Sequence, residues 1–374
     1  MNAATALFRC NASTTIGAGH TMRCLTLARV MAARGWHTRF AVNGQAVEVA
    51  PGLRDEASIT IPREHEKDAS WLAAKLQDGV DLIIVDHYGL DRSFERSARS
   101  FARRIVAIDD LGQRSHDADV LIDATLNGEP ADYAGLIPDH TLCLMGADYA
   151  LLRPAFARIR RNLPPPRDGV DQVRVLVSLG ATDPGNATAL VLDALRHVEA
   201  AVSVTIVLGS AAPHVREIRE RLGTLPYPSR MLEGVEEMAD LVADHDLVVG
   251  ASGMSAWERC CLGIPSLLLL TAENQERSAK ALTQAGAAYC PGYATAQSER
   301  QLGDLLQDIV RDRDELRRMG ERALALCDGL GAYRVANALD VPLSCRSGET
   351  IRLRPLCHAD SAQILEWRRH PDTR

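Results

Sequence analysis

The sequence predicts an α/β protein built from two Rossmann-like domains facing each other across a cleft, on three observations. Short apolar runs alternate with helical segments along the chain, the pattern of a parallel sheet. A proline-rich stretch, Leu163-Pro164-Pro165-Pro166-Arg167-Asp168-Gly169, interrupts the alternation near the middle, and the same pattern then restarts. With 374 residues and 46% hydrophobic content, the chain also exceeds the size at which a single core stops growing. The expected partition is a first domain over 1–152, a linker over 153–170, a second domain over 171–340 and a tail over 341–374.

In the first half, Phe8 to Cys10 reads as the end of a strand that runs into Ile16-Gly17-Ala18-Gly19-His20-Thr21-Met22-Arg23-Cys24, a glycine turn opening a helix. Gly17 and Gly19 supply the backbone freedom of a tight strand-to-helix turn, and Met22, Leu25 and Ala28 fall at helical spacing. His20 then sits in the first helical turn, at the carboxyl end of a parallel sheet where α/β proteins bind ligands and helix N–H groups favour anions. Thr38 to Val42 is a second strand, a helix is expected from about Ala69 to Gln77, and Asp81 to Asp86 is a buried strand. Asp86-His87-Tyr88-Gly89-Leu90-Asp91 places a carboxylate, an imidazole and a phenol just beyond that strand, beside the His20 turn if both belong to one sheet. Arg104 to Asp109, Asp119 to Asp123 and Thr141 to Leu144 are further short strands, and Asp109, Asp110 and Asp123 at their ends read as capping and solvated groups. Asp86 and His87 lack a second cluster with ligand spacing, so no metal and no cofactor is expected.

The second half begins with Val173 to Ser178, followed by the turn Leu179-Gly180-Ala181-Thr182-Asp183 and a helix opening at Pro184. Val202 to Leu208 is the next strand. Asp246 to Val249 leads into Gly250-Ala251-Ser252-Gly253-Met254-Ser255-Ala256-Trp257-Glu258, a second glycine turn and helix start. Pro265 to Leu270 is a buried strand, and a helix starts over Thr271 to Glu276. Helix N-termini after Gly180 and after Gly253 suit a diphosphate. Glu258 reads equally as an acceptor for ribose hydroxyls and as an early acid complementing the helix dipole. Neither half carries GxxxxGK[ST] or a clean GxGxxG, so nucleotide hydrolysis at a P-loop and nicotinamide chemistry both lack their usual support.

Composition narrows the partners. A formal net charge of −7 argues against a nucleic-acid-binding surface. Nine cysteines without repeated CxxC spacing suit a reducing cytoplasm. Met1 to Cys10 has neither a basic start nor a signal-like apolar run, and the longest apolar run, around Leu267 to Leu270, is far short of the ~20 residues of a membrane span. A cytoplasmic protein with no membrane partner is expected.

Taken together, the Ile16–Cys24 and Asp86–Asp91 segments, Ile108-Asp109-Asp110-Leu111, Tyr149-Ala150-Leu151-Leu152-Arg153-Pro154, Ser178-Leu179-Gly180, Trp257-Glu258-Arg259-Cys260-Cys261-Leu262-Gly263-Ile264-Pro265 and Asn274-Gln275 resemble the UDP-sugar hydrolases of bacterial pseudaminic acid biosynthesis, from about Phe8 to Leu339. That resemblance implies the two-domain GT-B glycosyltransferase fold and metal-free cleavage of UDP from a diacetamido-trideoxy-altrose. It implies His20 as the catalytic base, Tyr88 and Asn274 near the reacting sugar, Glu258 on the uridine ribose, and the backbone around Gly180 and Ser255 at the diphosphate. Gly17, Gly19, Asp86, Ser178 and Gln275 complete the implied substrate site. An imidazole in this role takes a proton from water while the anomeric carbon gains oxocarbenium character, and UDP-sugar becomes UDP and free sugar with inversion. The chain departs from the pattern at Asn11, where an aspartate is expected, at Ala181, where a second glycine is expected, and at Met254 and Ala256, which stand beside Ser255 in place of small hydroxyl residues. Two other classes are compatible with the same parts: a transferase in which His20 activates an acceptor hydroxyl, and a nucleotide-sugar binder without turnover. After Leu339, Thr350-Ile351-Arg352-Leu353-Arg354-Pro355-Leu356 and Ile364-Leu365-Glu366-Trp367-Arg368 resemble the first strand and helix of a GNAT-type acetyltransferase that stops before its acetyl-CoA loop, so no activity is expected of it.

Overall fold

The apolar runs of the first half become seven parallel strands. The computed structural model describes residues 3–76, 78–163, 172–209, 212–235 and 237–340, with the backbone of 343–344 and 350–351. Gln77, the proline-rich part of the linker and most of the acetyltransferase-like tail lie outside the described residues. In chain order the first half contains β1 (Thr5–Cys10), α1 (Gly19–Ala32), β2 (His37–Asn43), α2 (Ala46–Val49), β3 (Ser58–Ile61), α3 (Ala69–Ala73), β4 (Val80–Asp86), α4 (Arg92–Ala98), β5 (Ala102–Ile108), β6 (Val120–Asp123) and β7 (Leu142–Met145). The strand order is β3-β2-β1-β4-β5-β6-β7. It reverses direction between β1 and β4, and such a switch point opens a crevice at the strands' carboxyl ends. Cys10 lies opposite Asp86 in the register, so the turn after β1 and the end of β4 share that crevice.

The second half repeats the plan. After α5 (Pro154–Arg160) come β8 (Val173–Ser178), α6 (Ala187–Leu195), β9 (Val202–Leu208), α7 (Val215–Leu222), β10 (Ser229–Glu233), α8 (Met238–Ala243), β11 (Leu247–Gly250), α9 (Met254–Leu262), β12 (Ser266–Leu270), α10 (Glu276–Gln284), β13 (Ala288–Tyr293), α11 (Glu299–Arg311), α12 (Arg313–Leu326) and α13 (Gly331–Leu339). Its strands run β10-β9-β8-β11-β12-β13, all parallel, with the switch point between β8 and β11. Ser178 and Gly250 are paired there, which brings the two glycine turns side by side.

Two helices sit where the expected partition does not put them. α13, assigned by sequence to the second domain, buries Val335, Ala336 and Leu339 in the first sheet's core with Phe8, Leu25 and Leu27. α5, assigned to the linker, buries Phe156 among Trp257, Cys260 and Leu268 on the second sheet. Burial decides both cases: each helix carries an apolar face that a free linker would leave in water. The helix expected from Ala69 to Gln77 ends at Ala73. The helix expected to open at Pro184 starts at Ala187, because Asp183 and Asn186 take φ of 37° and 53° first.

His116 illustrates what the buried polar groups do for stability. Its Nδ1 lies 2.7 Å from Glu95 Oε1, and its Nε2 stands 3.8 Å from Asp109 Oδ2, with all three side chains buried. Burial alone would lower this imidazole, but Asp109 and Glu95 overcome it and lift the pKa to about 9. A raised folded-state value stabilises fully below the unfolded histidine range, near ~6.5, and that contribution disappears as pH rises through about 9. Urea unfolding between about pH 6 and about pH 10 is expected to lose on the order of 3 kcal/mol, and His116→Gln should flatten that alkaline limb.

Candidate active site

The turn after β1 is closed by the Gly17 N–H donating to the Ser13 carbonyl at 2.8 Å, with Gly17 at φ +80°. Gly19 has no positive φ and open space where a Cβ would stand, so the expected backbone freedom is needed at Gly17 alone. α1 then presents His20, Arg23 and Cys24 on one face, at the i, i+3 and i+4 positions.

That face meets Asp86, the fully buried last residue of β4. The carboxylate accepts from His20 Nδ1 at 2.6 Å and from Arg23 through both Nε and a terminal nitrogen at 2.6 Å each. Burial by itself would raise this carboxyl, yet the charges of Arg23 and His20 hold it well below the usual carboxylate range. With Nδ1–H committed to Asp86, His20 keeps Nε2 as its basic nitrogen, the tautomer a general base requires. Arg23 also donates to Asp110 Oδ2 at 3.0 Å, and Tyr88 donates its hydroxyl to Asp110 Oδ1 at 2.8 Å. Burial and the Asp110 charge push the Tyr88 phenol well up, so it stays protonated. The rings of His20 and Tyr88 meet edge to face with centroids 4.6 Å apart.

The second half reaches this cluster from the segment after β12. Asn274 Nδ2 donates to the Tyr88 hydroxyl at 3.0 Å, which brings together His20, Tyr88 and Asn274, the three residues that the resemblance groups. Three residues on, Arg277 bonds Asp123 Oδ2 at 3.3 Å and also Asp132, a second tie between the halves. Gln275 engages its own turn, accepting from the Thr271 N–H at 2.9 Å, and thereby shapes the loop that carries Asn274.

At the second switch point Gly180 takes φ +113°, a conformation that favours glycine, whereas Ala181 lies outside the positive-φ region and its carbonyl accepts from the Gly209 N–H at 2.7 Å. The Ala181 departure therefore puts no methyl on a strained backbone. The two helix ends expected to hold a diphosphate differ. α6 is already capped by the Asp183 carboxylate, which takes the N–H groups of Ala187 and Thr188 at 3.0 and 2.8 Å. α9 has no side-chain cap and no acid in its first turn. Ser255 lies in that first turn, and Met254 packs against the apolar clusters of both halves. Glu258 pairs with Arg153 at 3.1 Å, burial raising its carboxyl while Arg153 opposes the rise.

Arg23, Asp110, Arg153 and Arg277 make contacts at the candidate site to which the sequence reading assigned no role. The signals were present: Arg23 follows His20 at helical spacing, Asp110 follows a strand end, and Arg277 follows Asn274 by three. Among the described residues no group of three or more His, Cys, Asp or Glu side chains is placed to hold a metal ion. No described helix is long and apolar enough to cross a membrane.

Two parallel-sheet α/β domains meeting at their switch points define the fold of GT-B glycosyltransferases and sugar-nucleotide epimerases. MurG of Acinetobacter baumannii superposes with a TM-score of 0.64 at 15% identity, over 89% of this chain and 98% of that one. In sequence, the spore coat polysaccharide biosynthesis protein SpsG of Bacillus subtilis is 30% identical over 58% of this chain and 64% of its own length. The UDP-2,4-diacetamido-2,4,6-trideoxy-beta-L-altropyranose hydrolase of Campylobacter jejuni is 23% identical over 75% of this chain and 96% of its own. No protein-family model matches the chain.

The Asn11 departure leaves a mark on hydrogen bonding at the cleft mouth. Arg9 is fully buried and its terminal nitrogen donates to Asn11 Oδ1 at 2.6 Å, while its Nε has no partner among the described residues. His87 Nδ1 accepts from the Gly89 N–H at 2.9 Å, so Nε2 must carry the ring proton. Asn11 Nδ2 faces that Nε2 at 3.0 Å, donor against donor, and turning the amide over moves the conflict to Arg9. Burial and the Arg9 charge lower the His87 pKa to about 4, which keeps it neutral. A carboxylate would accept from both neighbours. Asn11→Asp is expected to stabilise the protein by about 1–3 kcal/mol in urea unfolding at neutral pH. Because Arg9 depresses the new carboxyl, the gain should be present above pH ~4 and vanish as acid protonates it.

Proposed function

We propose that this protein is a UDP-sugar hydrolase, cleaving UDP-2,4-diacetamido-2,4,6-trideoxy-beta-L-altropyranose to UDP and free sugar, as in pseudaminic acid biosynthesis. The observation that carries the reading is the buried Asp86 carboxylate on His20 Nδ1, with Tyr88 and Asn274 joined beside it from opposite halves. The Campylobacter jejuni relative supports the choice of substrate. In this reading the first domain, within 1–152, supplies the base, and the second, within 171–340, holds the nucleotide.

His20 Nε2 takes a proton from water as the water oxygen bonds to the anomeric carbon. The bond from that carbon to the phosphate oxygen breaks, and its electron pair leaves with UDP. Attack from the face opposite UDP inverts the anomeric centre. Asp86 stabilises the imidazolium formed, and Tyr88 with Asn274 orients the sugar. The diphosphate is already a good leaving group, so the second domain's task is to bind its charge through backbone donors and the α9 terminus.

Incubation with the UDP-sugar and no acceptor should release UDP and free sugar. Release only when an acceptor is added would instead identify a transferase, and UDP binding without release a non-catalytic binder. His20→Ala should lower kcat by roughly 10²–10⁴ while UDP still binds. Glu258→Ala should mainly raise KM, with UDP affinity reduced by about 1.5–3 kcal/mol. Tyr88→Phe should fall between the two. Steady-state UDP release paired with calorimetric UDP titration reads all three, and near-full kcat in His20→Ala would remove His20 as the base.

A further inference from the structure

Arg259 lies on α9, behind the glycine turn that follows β11, and is 2% exposed. It donates to Ser266 Oγ at 2.8 Å, to Ser255 Oγ at 3.1 Å and to the Ala251 carbonyl at 2.7 Å. Every one of these acceptors is neutral. The adjacent Glu258 carboxylate is engaged by Arg153, and no carboxylate lies within ion-pair distance of Arg259 among the described residues. Burial lowers its pKa to about 10, which still leaves it charged at neutral pH. The Glu258 charge acts on Arg259 only from beyond ion-pair distance and is shared with Arg153, so the buried cation is incompletely compensated and costly.

The surroundings answer for an anion. Gly250 is the residue that lets the guanidinium lie under the turn, since a Cβ there would stand 2.9 Å from an Arg259 terminal nitrogen and 2.9 Å from the Ser178 carbonyl. The α9 N-terminus directly above has neither a side-chain cap nor a first-turn acid. Ser252, in the same turn, is 2% exposed and its hydroxyl has no hydrogen-bond partner among the described residues. Ser255 Oγ accepts from Arg259, which leaves the Ser255 proton free to be donated.

We infer that Arg259 is a positioning residue for diphosphate recognition: a fixed buried cation that sets the Ser255 hydroxyl as a donor and makes the α9 turn selective for a doubly charged anion over a neutral nucleoside. The inference rests on the nucleotide-binding half of the proposed function and is independent of whether water or another acceptor is used. Arg259 itself does not touch the ligand. It acts through Ser255, through the turn carbonyl of Ala251 and through its charge, and a diphosphate seated on the turn adds counter-charge beyond what the distant Glu258 supplies.

The test is calorimetric titration of the full chain with UDP, UMP and uridine, together with the change in Tm produced by inorganic pyrophosphate. Arg259→Gln is expected to weaken UDP by about tenfold or more, UMP by less and uridine by under about twofold, and to abolish the pyrophosphate shift. Arg259→Lys should recover part of the UDP affinity, because it restores charge without the forked geometry. Equal loss for UDP and uridine, or no loss for either, overturns the inference. Should Arg259→Gln not fold, Ser255→Ala decides: it should weaken UDP relative to uridine by about threefold or more, and an unchanged ratio overturns the inference. A wild-type protein that binds neither UDP nor pyrophosphate overturns it as well, whereas UDP binding without sugar release removes only the hydrolase reading.

Discussion

A buried carboxylate must be fully paired or it cannot remain charged, and Asp86 imposes that condition on the whole mouth of the first sheet. Its three short contacts come from His20 and Arg23, which are one helical turn apart on α1. The glycine turn, the start of α1 and the end of β4 are thus held in one arrangement. Arg23 extends it to Asp110, Asp110 to Tyr88, and Tyr88 to Asn274 in the other half. Asp86 and Asp110 contribute two negative charges against the single positive charge of Arg23. In the proposed reaction the imidazolium formed on His20 stands against the Asp86 carboxylate.

The same contacts make the cleft a property of both halves. Asn274 and Arg277 stand three residues apart just after β12, and each bonds a group of the first half. α13 then returns the chain to the first core, where Val335, Ala336 and Leu339 are buried, and its neighbour Asp340 receives the Trp36 indole at 3.2 Å. This apolar anchoring is worth more than the exposed ion pairs beside it, since buried aliphatic side chains contribute ~1.5–3 kcal/mol each and surface pairs ~0–1. The polar contacts at the cleft are therefore free to respond to a ligand while the apolar helix keeps the halves together.

The alternation, the two glycine turns and the placement of His20, Asp86 and Tyr88 were legible because strand ends and helix starts leave local signatures, whereas Asn274 was singled out by the resemblance alone. What escaped was either exposed or non-local. β10 is a half-exposed edge strand, and β13 contains Pro291 and Gly292 with a register shift against β12, so neither reads as a buried apolar run. α13 carries an apolar face of Val335, Ala336 and Leu339, but nothing in its own residues says which sheet that face covers. Asp110 looks like any solvated strand-end acid until Arg23 and Tyr88 are brought to it by separate elements. Asp183 resembles a helix-start signal and is one. Its carboxylate occupies the α6 terminus that the spacing alone leaves open to a ligand.

The two switch points share a topology and differ in charge. The first gathers Asp86 and Asp110 around one arginine. The second buries Arg259 under an uncapped helix end, with Asp183 turned inward onto α6. An anion is accordingly favoured at the second and a developing cation at the first. In the proposed hydrolysis the anomeric carbon gains positive character while negative charge moves onto the departing diphosphate, so the field across the cleft acts along the breaking bond. Fixed charges that are buried before substrate arrives require no reorganisation when the bond breaks, and they act more strongly than the same charges in water. At the first turn Arg23 and His20 hold the buried Asp86 ionised, whereas at the second the buried Arg259 meets only neutral acceptors, so the cost of burial falls on the second turn and the pre-set charge of both is in place before the bond breaks.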